Sequence, residues 1–288
     1  MSAVSTRAVS TRAVSTAPGL PFRRLWKFFQ TPKGYLVIIL ALIAAIASPS
    51  QGLESAIPTL LGASISAVVV DMVIVWYFKR QVAFQTGGLL TGMIVALVLS
   101  AQQPWYVAVG TAAIAIVVKH LFRTRSANIF NPAAFGIVCA YFVFASGDSW
   151  WGSFPDLSPL ALLVIIGTGI WLANHLNKLP LILSFVATYL LIFTGSTFLF
   201  DPTQVAEIFR SPDINMMLFF AFFMLDDPPT SPVRYPDQIR FGLIVAFASF
   251  CIFIAVGAVW FLLAGLLIGN AWEAWRRVSA RAARTVTA

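Results

Sequence analysis

The segment Phe222 to Pro236 reads FFMLDDPPTSPVRYP. An apolar run, Met216 to Leu225, meets two adjacent carboxylates, Asp226 and Asp227. Two prolines, Thr230, Ser231 and a third proline follow. Proline removes a backbone donor and pushes its predecessor out of the helical region, so a helix cannot continue here. Two neighbouring carboxylates cannot both be buried and charged cheaply, so one requires a proton or a cationic partner. A polar break at the end of an apolar segment is a recurrent way to build a binding site near a bilayer midplane. The plainer alternative is a polar loop at the membrane surface.

Two further stretches carry similar potential. In SANIFNPAAFG, residues 126–136, Asn131-Pro132 reads as a helix N-cap followed by proline at the first helical position. That leaves Asn128, a second neutral amide with both a donor and an acceptor, suited to the edge of a flat heterocycle. In QTGGLLTGMIVALVLS, residues 85–100, Gly87, Gly88 and Gly92 permit close backbone approach, and Thr86 and Thr91 supply hydroxyls. Small-residue helix packing is the plainer account of those glycines.

The elements that position these groups must be membrane helices. Of the 288 residues, 59% are hydrophobic and 10% charged, with a mean hydropathy of +0.85. A soluble domain of this size cannot hide that much apolar surface. The apolar runs are continuous rather than alternating, which favours helices over a barrel. Ten segments are expected, at roughly 34–48, 57–78, 87–101, 104–119, 132–146, 157–174, 180–197, 214–225, 241–256 and 258–273, with a tight outer turn at Gly257. With both termini inside, 18 of the 19 Lys and Arg fall on the inner side, and only Arg210 falls outside. The net charge of +8 is then an orientation signal, and no nucleic-acid partner is expected.

This topology makes three domain assignments: a disordered basic tail at 1–20 built on an AVSTR repeat, a transmembrane domain at 21–275 and a basic tail at 276–288. Trp105, Trp150, Trp151 and Trp260 are expected at the outer interface, and Trp26, Trp76, Trp171, Trp272 and Trp275 at the inner one. Cys139 and Cys251 read as small buried hydrophobes, and two distant histidines, His120 and His175, offer no metal cluster. The topology also places Thr86–Thr91, Asn128–Asn131 and Asp226–Ser231 together in the cytoplasmic half, where they are expected to line one pocket.

The same motifs carry a resemblance. NIFNPAAFG (128–136), TGMIVALVL (91–99), FFMLDDPPTSP (222–232) and LLIGN (266–270) resemble signatures of the RnfD/NqrB family. That family comprises the RnfD membrane component of the Rnf complex and the NqrB membrane component of the sodium-pumping NADH:quinone reductase. The similarity runs over roughly residues 20 to 275. It implies two inverted five-helix repeats on a scaffold similar to ammonium and urea transporters, with a flavin on the cytoplasmic side. It also implies that Asn128 and Asn131 contact that flavin and that Asp227 is the aspartate of the DPxTSP element. Asp226 departs from the family, which usually has a neutral residue there. The family also attaches FMN covalently to threonine in an SGAT-type motif. Here the region reads WWGSFPDLSPLALL, with Ser158 near the place but no such motif, so covalent FMN is not expected.

The reading is therefore an all-α protein of the bacterial cytoplasmic membrane, an electron-transfer subunit holding riboflavin or FMN non-covalently through Asn128, Asn131, Asp226, Asp227, Thr230, Ser231, Thr86 and Thr91. No nicotinamide-binding glycine-rich turn and no iron–sulfur cysteine cluster is present, so other redox or membrane-complex subunits, besides lipid, are the expected partners. A solute transporter on the same scaffold, or a redox-silent structural subunit, are the alternatives.

Overall fold

A computed structural model describes residues 28–80, 86–124, 127–157, 159–200 and 202–286. The AVSTR repeat, Trp26, Ser158 and Asp201 lie outside the described residues. Ten α-helices appear among them: α1 (Pro32–Gln51), α2 (Leu53–Lys79), α3 (Thr86–Val98), α4 (Trp105–Leu121), α5 (Pro132–Phe144), α6 (Leu162–His175), α7 (Leu179–Phe200), α8 (Asp213–Phe223), α9 (Tyr235–Val256) and α10 (Phe261–Val286). Each expected apolar segment has its helix.

Helix α2 shows what solvent the fold is built for. Leu53, Ile57, Leu61, Ile65, Val69, Val73 and Trp76 form an exposed apolar stripe along its length. The opposite face buries Ala56, Ala63, Ala67 and Asp71. A stripe of that length facing water would be costly, whereas facing lipid it is at home. Helices α1, α2, α7 and α9 are long and apolar enough to cross a membrane. Helices α3, α5 and α8 are not, with 13, 13 and 11 residues. At about 1.5 Å per residue they cover roughly 16–20 Å of a core about 30 Å thick. Irregular backbone must complete their paths.

Local chemistry sets the ends. Thr31 caps α1, its hydroxyl accepting from the Gly34 N–H at 3.2 Å, with Pro32 as the first helical residue. Gly257, at φ +62°, closes α9 by donating to the Phe253 carbonyl and opens the expected turn into α10. Helix pairs α2–α4 and α7–α9 pack most extensively, and α4–α5 and α9–α10 also pack closely.

Residues 145–154 correct one expectation. Trp150 and Trp151 are buried, not interfacial. The cause is the early end of α3, which leaves carbonyls without helical partners where no water can serve them. The Trp151 Nε1–H donates to the Ala96 carbonyl at 2.6 Å, and the Ser149 and Trp150 amides both donate to the Val98 carbonyl at 3.0 Å. The Asn215 side chain, on α8, donates to the carbonyls of Ser153 and Phe154. An aromatic plug thus joins α3 to α8. Trp76, Trp105, Trp171 and Trp275 are exposed, as membrane-belt residues require. The cysteines also differ from expectation: Cys139 is half-buried and Cys251 is exposed. Cys251 lies on α9 among exposed apolar residues, Phe247 and Ile254, where a small hydrophobe suits lipid as well as core. The basic tail assigned to 276–288 continues α10 as helix to Val286.

Candidate functional site

The end of the bundle where α2, α4 and α6 finish is rich in basic residues. A cavity of about 520 Å³ opens there. Its walls come from the first two turns of α3 (Thr86, Gly87, Thr91), the segment before α5 (Asn128, Asn131) and the break after α8 (Asp226, Asp227, Pro228, Pro229). The three motifs far apart in sequence do share one pocket.

The break after α8 is held from several directions. The Asp227 carbonyl accepts from the amides of Thr230 and Ser231, closing a turn. The Asp227 side chain accepts from the Thr230 hydroxyl at 2.9 Å. Lys178 donates to the Ser231 hydroxyl at 2.8 Å and to the Pro232 carbonyl at 2.6 Å. Arg277 donates to the carbonyls of Pro229 and Ser231. Backbone acceptors that the prolines leave without helical partners are therefore served by two cations. Burial pushes the Lys178 ammonium down to about 8, partly offset by Asp226 and Asp227 nearby.

The eight expected site residues divide by role. Asn131 is structurally committed: its Oδ1 accepts from the Ala134 amide, its Nδ2 donates to the Met224 carbonyl, and its own amide donates to Asn270 Oδ1. The Thr91 hydroxyl donates to the Gly87 carbonyl in its own helix. Thr230 and Ser231 are buried behind the cavity wall and shape the turn rather than line the space. Asn128 lines the cavity and is half-buried. Asp226 is 3% exposed, lines the cavity, and its Oδ2 has no hydrogen-bond partner among the described residues. Asn128 and Asp226 are the polar groups best placed to meet a ligand.

Five ionisable lining residues escaped the sequence reading. Asp71 is fully buried on α2. Its Oδ2 meets Lys119 Nζ at 2.5 Å and its Oδ1 meets His120 Nε2 at 2.7 Å, both from the last turn of α4. A lone acid inside an apolar run is a recognised signal of function. Lys119 and His120 were masked by their position, which also suits an orientation marker. Lys33 and Arg123 line the same space.

Fold and cavity together define a polytopic helical membrane protein with a pocket built at broken helices. Residues 29–161 match the model of the NQR2, RnfD, RnfE family. It is 31% identical over 128 residues to the RnfD protein of the ion-translocating oxidoreductase complex of Escherichia coli strain Crooks, covering 42% of this chain and 36% of the relative. The protein of the same name from Shigella flexneri is 30% identical over the same coverage. The aligned stretch thus spans just over a third of the length of these curated relatives. The family match contains Thr86, Thr91, Asn128 and Asn131 and ends before Asp226.

Proposed function

We propose that the protein is an electron-transfer subunit of RnfD type, working with other subunits of a membrane redox complex, and that its cavity binds a flavin without a covalent bond. The observation that carries this reading is the convergence of Asn128, Asp226 and the turn at Asp227 on one enclosed space, with a buried carboxyl oxygen still lacking a partner among the described residues. A cavity of about 520 Å³ lies within the range of roughly 300–1,000 Å³ typical of cofactor sites. The isoalloxazine edge presents both donors and acceptors, which Asn128 and Asp226 match in kind.

A flavin bound here supplies one- and two-electron chemistry. The chain supplies position and charge. Asn128 reads the mixed edge of the ring. Asp226 presents its free oxygen to a ring N–H or hydroxyl. Asp227, locked to Thr230, keeps the broken end of α8 rigid, and Asn131 holds that end against α5.

The two halves of the chain support an inverted-repeat scaffold. The packing pairs α1–α3, α2–α3, α2–α4 and α4–α5 recur five helices later as α6–α8, α7–α8, α7–α9 and α9–α10. The short, interrupted helices α3 and α8 occupy corresponding places. By the distribution of basic residues, the cavity end faces the cytoplasm.

The deciding experiment is the absorption spectrum of gently purified protein, with acid extraction of the chromophore. Riboflavin or FMN is expected in the extract, and no fluorescent band is expected on a denaturing gel. Colourless protein that takes up no added flavin overturns the reading.

A further inference from the structure

Asp71 has two side-chain partners, Lys119 on one carboxylate oxygen and His120 on the other. Its carboxylate is fully buried, and Lys119 and His120 are 15% and 18% exposed. All three line the cavity. Lys119 has three N–H donors, and its ion pair with Asp71 accounts for one. One glycine of α3, Gly88, makes room for this cluster, while Gly87 lies at ordinary contact distance from it. A Cβ on Gly88 would lie 2.9 Å from Asp71 Oδ2, and one on Gly87 would lie 3.6 Å from Lys119 Nζ. The first turn of α3, with Thr86 and Gly87, forms the same wall and turns the positive end of its dipole toward the cavity. The acids Asp226 and Asp227 belong to a different element, the break after α8. The cavity is therefore polarised, with a cationic wall on α4 and α3 facing an acidic one.

We propose that Lys119, fixed by Asp71, is the charge-compensating residue of this cavity and faces the part of a bound flavin that gains negative charge on reduction. The inference rests on the flavin reading above. Each electron, delivered by a reduced partner protein or a chemical reductant, adds one negative charge to the ring system. Lys119 balances that charge at short range in a medium of low dielectric. Asp71 keeps the ammonium in place, and His120 holds the other oxygen of that carboxylate at 2.7 Å. Simple stapling of α2 to α4 would need only one cation and no opening onto the cavity.

The test uses the full-length protein in detergent, loaded with flavin by equilibrium dialysis and reduced with dithionite in a spectroelectrochemical cell. Lys119→Met should lower the affinity for reduced flavin relative to oxidised flavin by about tenfold or more, a fall of about 30 mV in midpoint per factor of ten for a two-electron couple. Because Lys119→Met leaves Asp71 short of a partner, the double variant Asp71→Asn/Lys119→Met is measured beside it. The same fall in the double variant supports the proposal. A wild-type midpoint in the double variant overturns it, leaving the pair as a helix staple while the flavin site stands. Wild-type protein that binds no flavin in dialysis overturns both.

Discussion

The backbone N–H of Asn131 donates to Oδ1 of Asn270 at 2.8 Å, across 139 residues of chain. This bond ties the start of α5 to the middle of α10. Asn131 simultaneously caps α5 and donates to the Met224 carbonyl just past the end of α8. One asparagine therefore joins three elements at the back of the cavity.

Asn131→Ala and Asn270→Ala should both destabilise the fold. Loss of a cap costs about 1 kcal/mol, and a buried amide or carbonyl left without a partner costs about 1–3 kcal/mol. Asn131→Ala loses both kinds and should be the worse of the two. Thermal unfolding in detergent checks this, and equal melting temperatures for wild type and both variants would count against the junction.

Asn128→Ala and Asp227→Ala should separate recognition from scaffolding. Asn128 makes no side-chain bond among those resolved for the described residues, so its loss should leave stability unchanged and weaken flavin binding by about 5- to 150-fold. Asp227→Ala also frees Thr230, so it should lower both binding and stability. Asp213→Ala, at the far end of α8, should retain flavin. Dialysis with riboflavin or FMN measures the affinities. Full retention in both pocket variants would redirect the search to another ligand.

Gly92→Ala should be poorly tolerated. A Cβ there would lie 2.6 Å from the Ala63 carbonyl oxygen and 2.7 Å from Ser64 Cα, so α2 and α3 must part. Overpacking of that kind costs about 1–3 kcal/mol. Gly167→Ala on α6 meets nothing within 4 Å and should be neutral or stabilising by up to about 1 kcal/mol. Comparing the two melting temperatures tests the close approach directly.

Lys178 should make stability depend on pH in a defined direction. Its folded value of about 8 lies below the ordinary 10.5. Between those values the unfolded chain holds a proton that the folded chain has released. Stability therefore rises with pH across that window and is flat below it. The melting temperature of wild type minus that of Lys178→Met should increase from about pH 7.5 to about pH 10. A flat or falling difference would contradict the buried ammonium.

Topology is checked by reporter fusions. A fusion at the C-terminus should face the cytoplasm and one after Phe200 should face outward. A C-terminus on the outer side would invert the assignment of the cavity end.

The ten helices were legible because each holds a continuous apolar run, and the breaks at Asp226 and Asn131 because proline announces them. The pocket was legible only through topology, which brought three breaks to one end. The Asp71–Lys119–His120 cluster was not legible as a unit. Lys119 and His120 stand 48 and 49 residues from Asp71, and at a helix end they look like any inner-face basic pair. The plug was misread for a related reason: Trp150 and Trp151 beside a turn resemble belt residues, and only the orphan carbonyls of Ala96 and Val98 explain their burial. Thr230 and Ser231 were recognised as polar, but their placement behind the cavity wall depends on Asp227 holding the Thr230 hydroxyl and Lys178 the Ser231 hydroxyl.

The plug has a further consequence. Trp151, Phe154, Phe219 and Phe220 are all essentially without exposure, and they pack around the ends of α3 and α8. A solute crossing by this route would have to expel a tryptophan and break its bond to the α3 backbone. Among the described residues, the way past the end of α3 is accordingly filled. Electron transfer, the role proposed for the chain, would need no such opening.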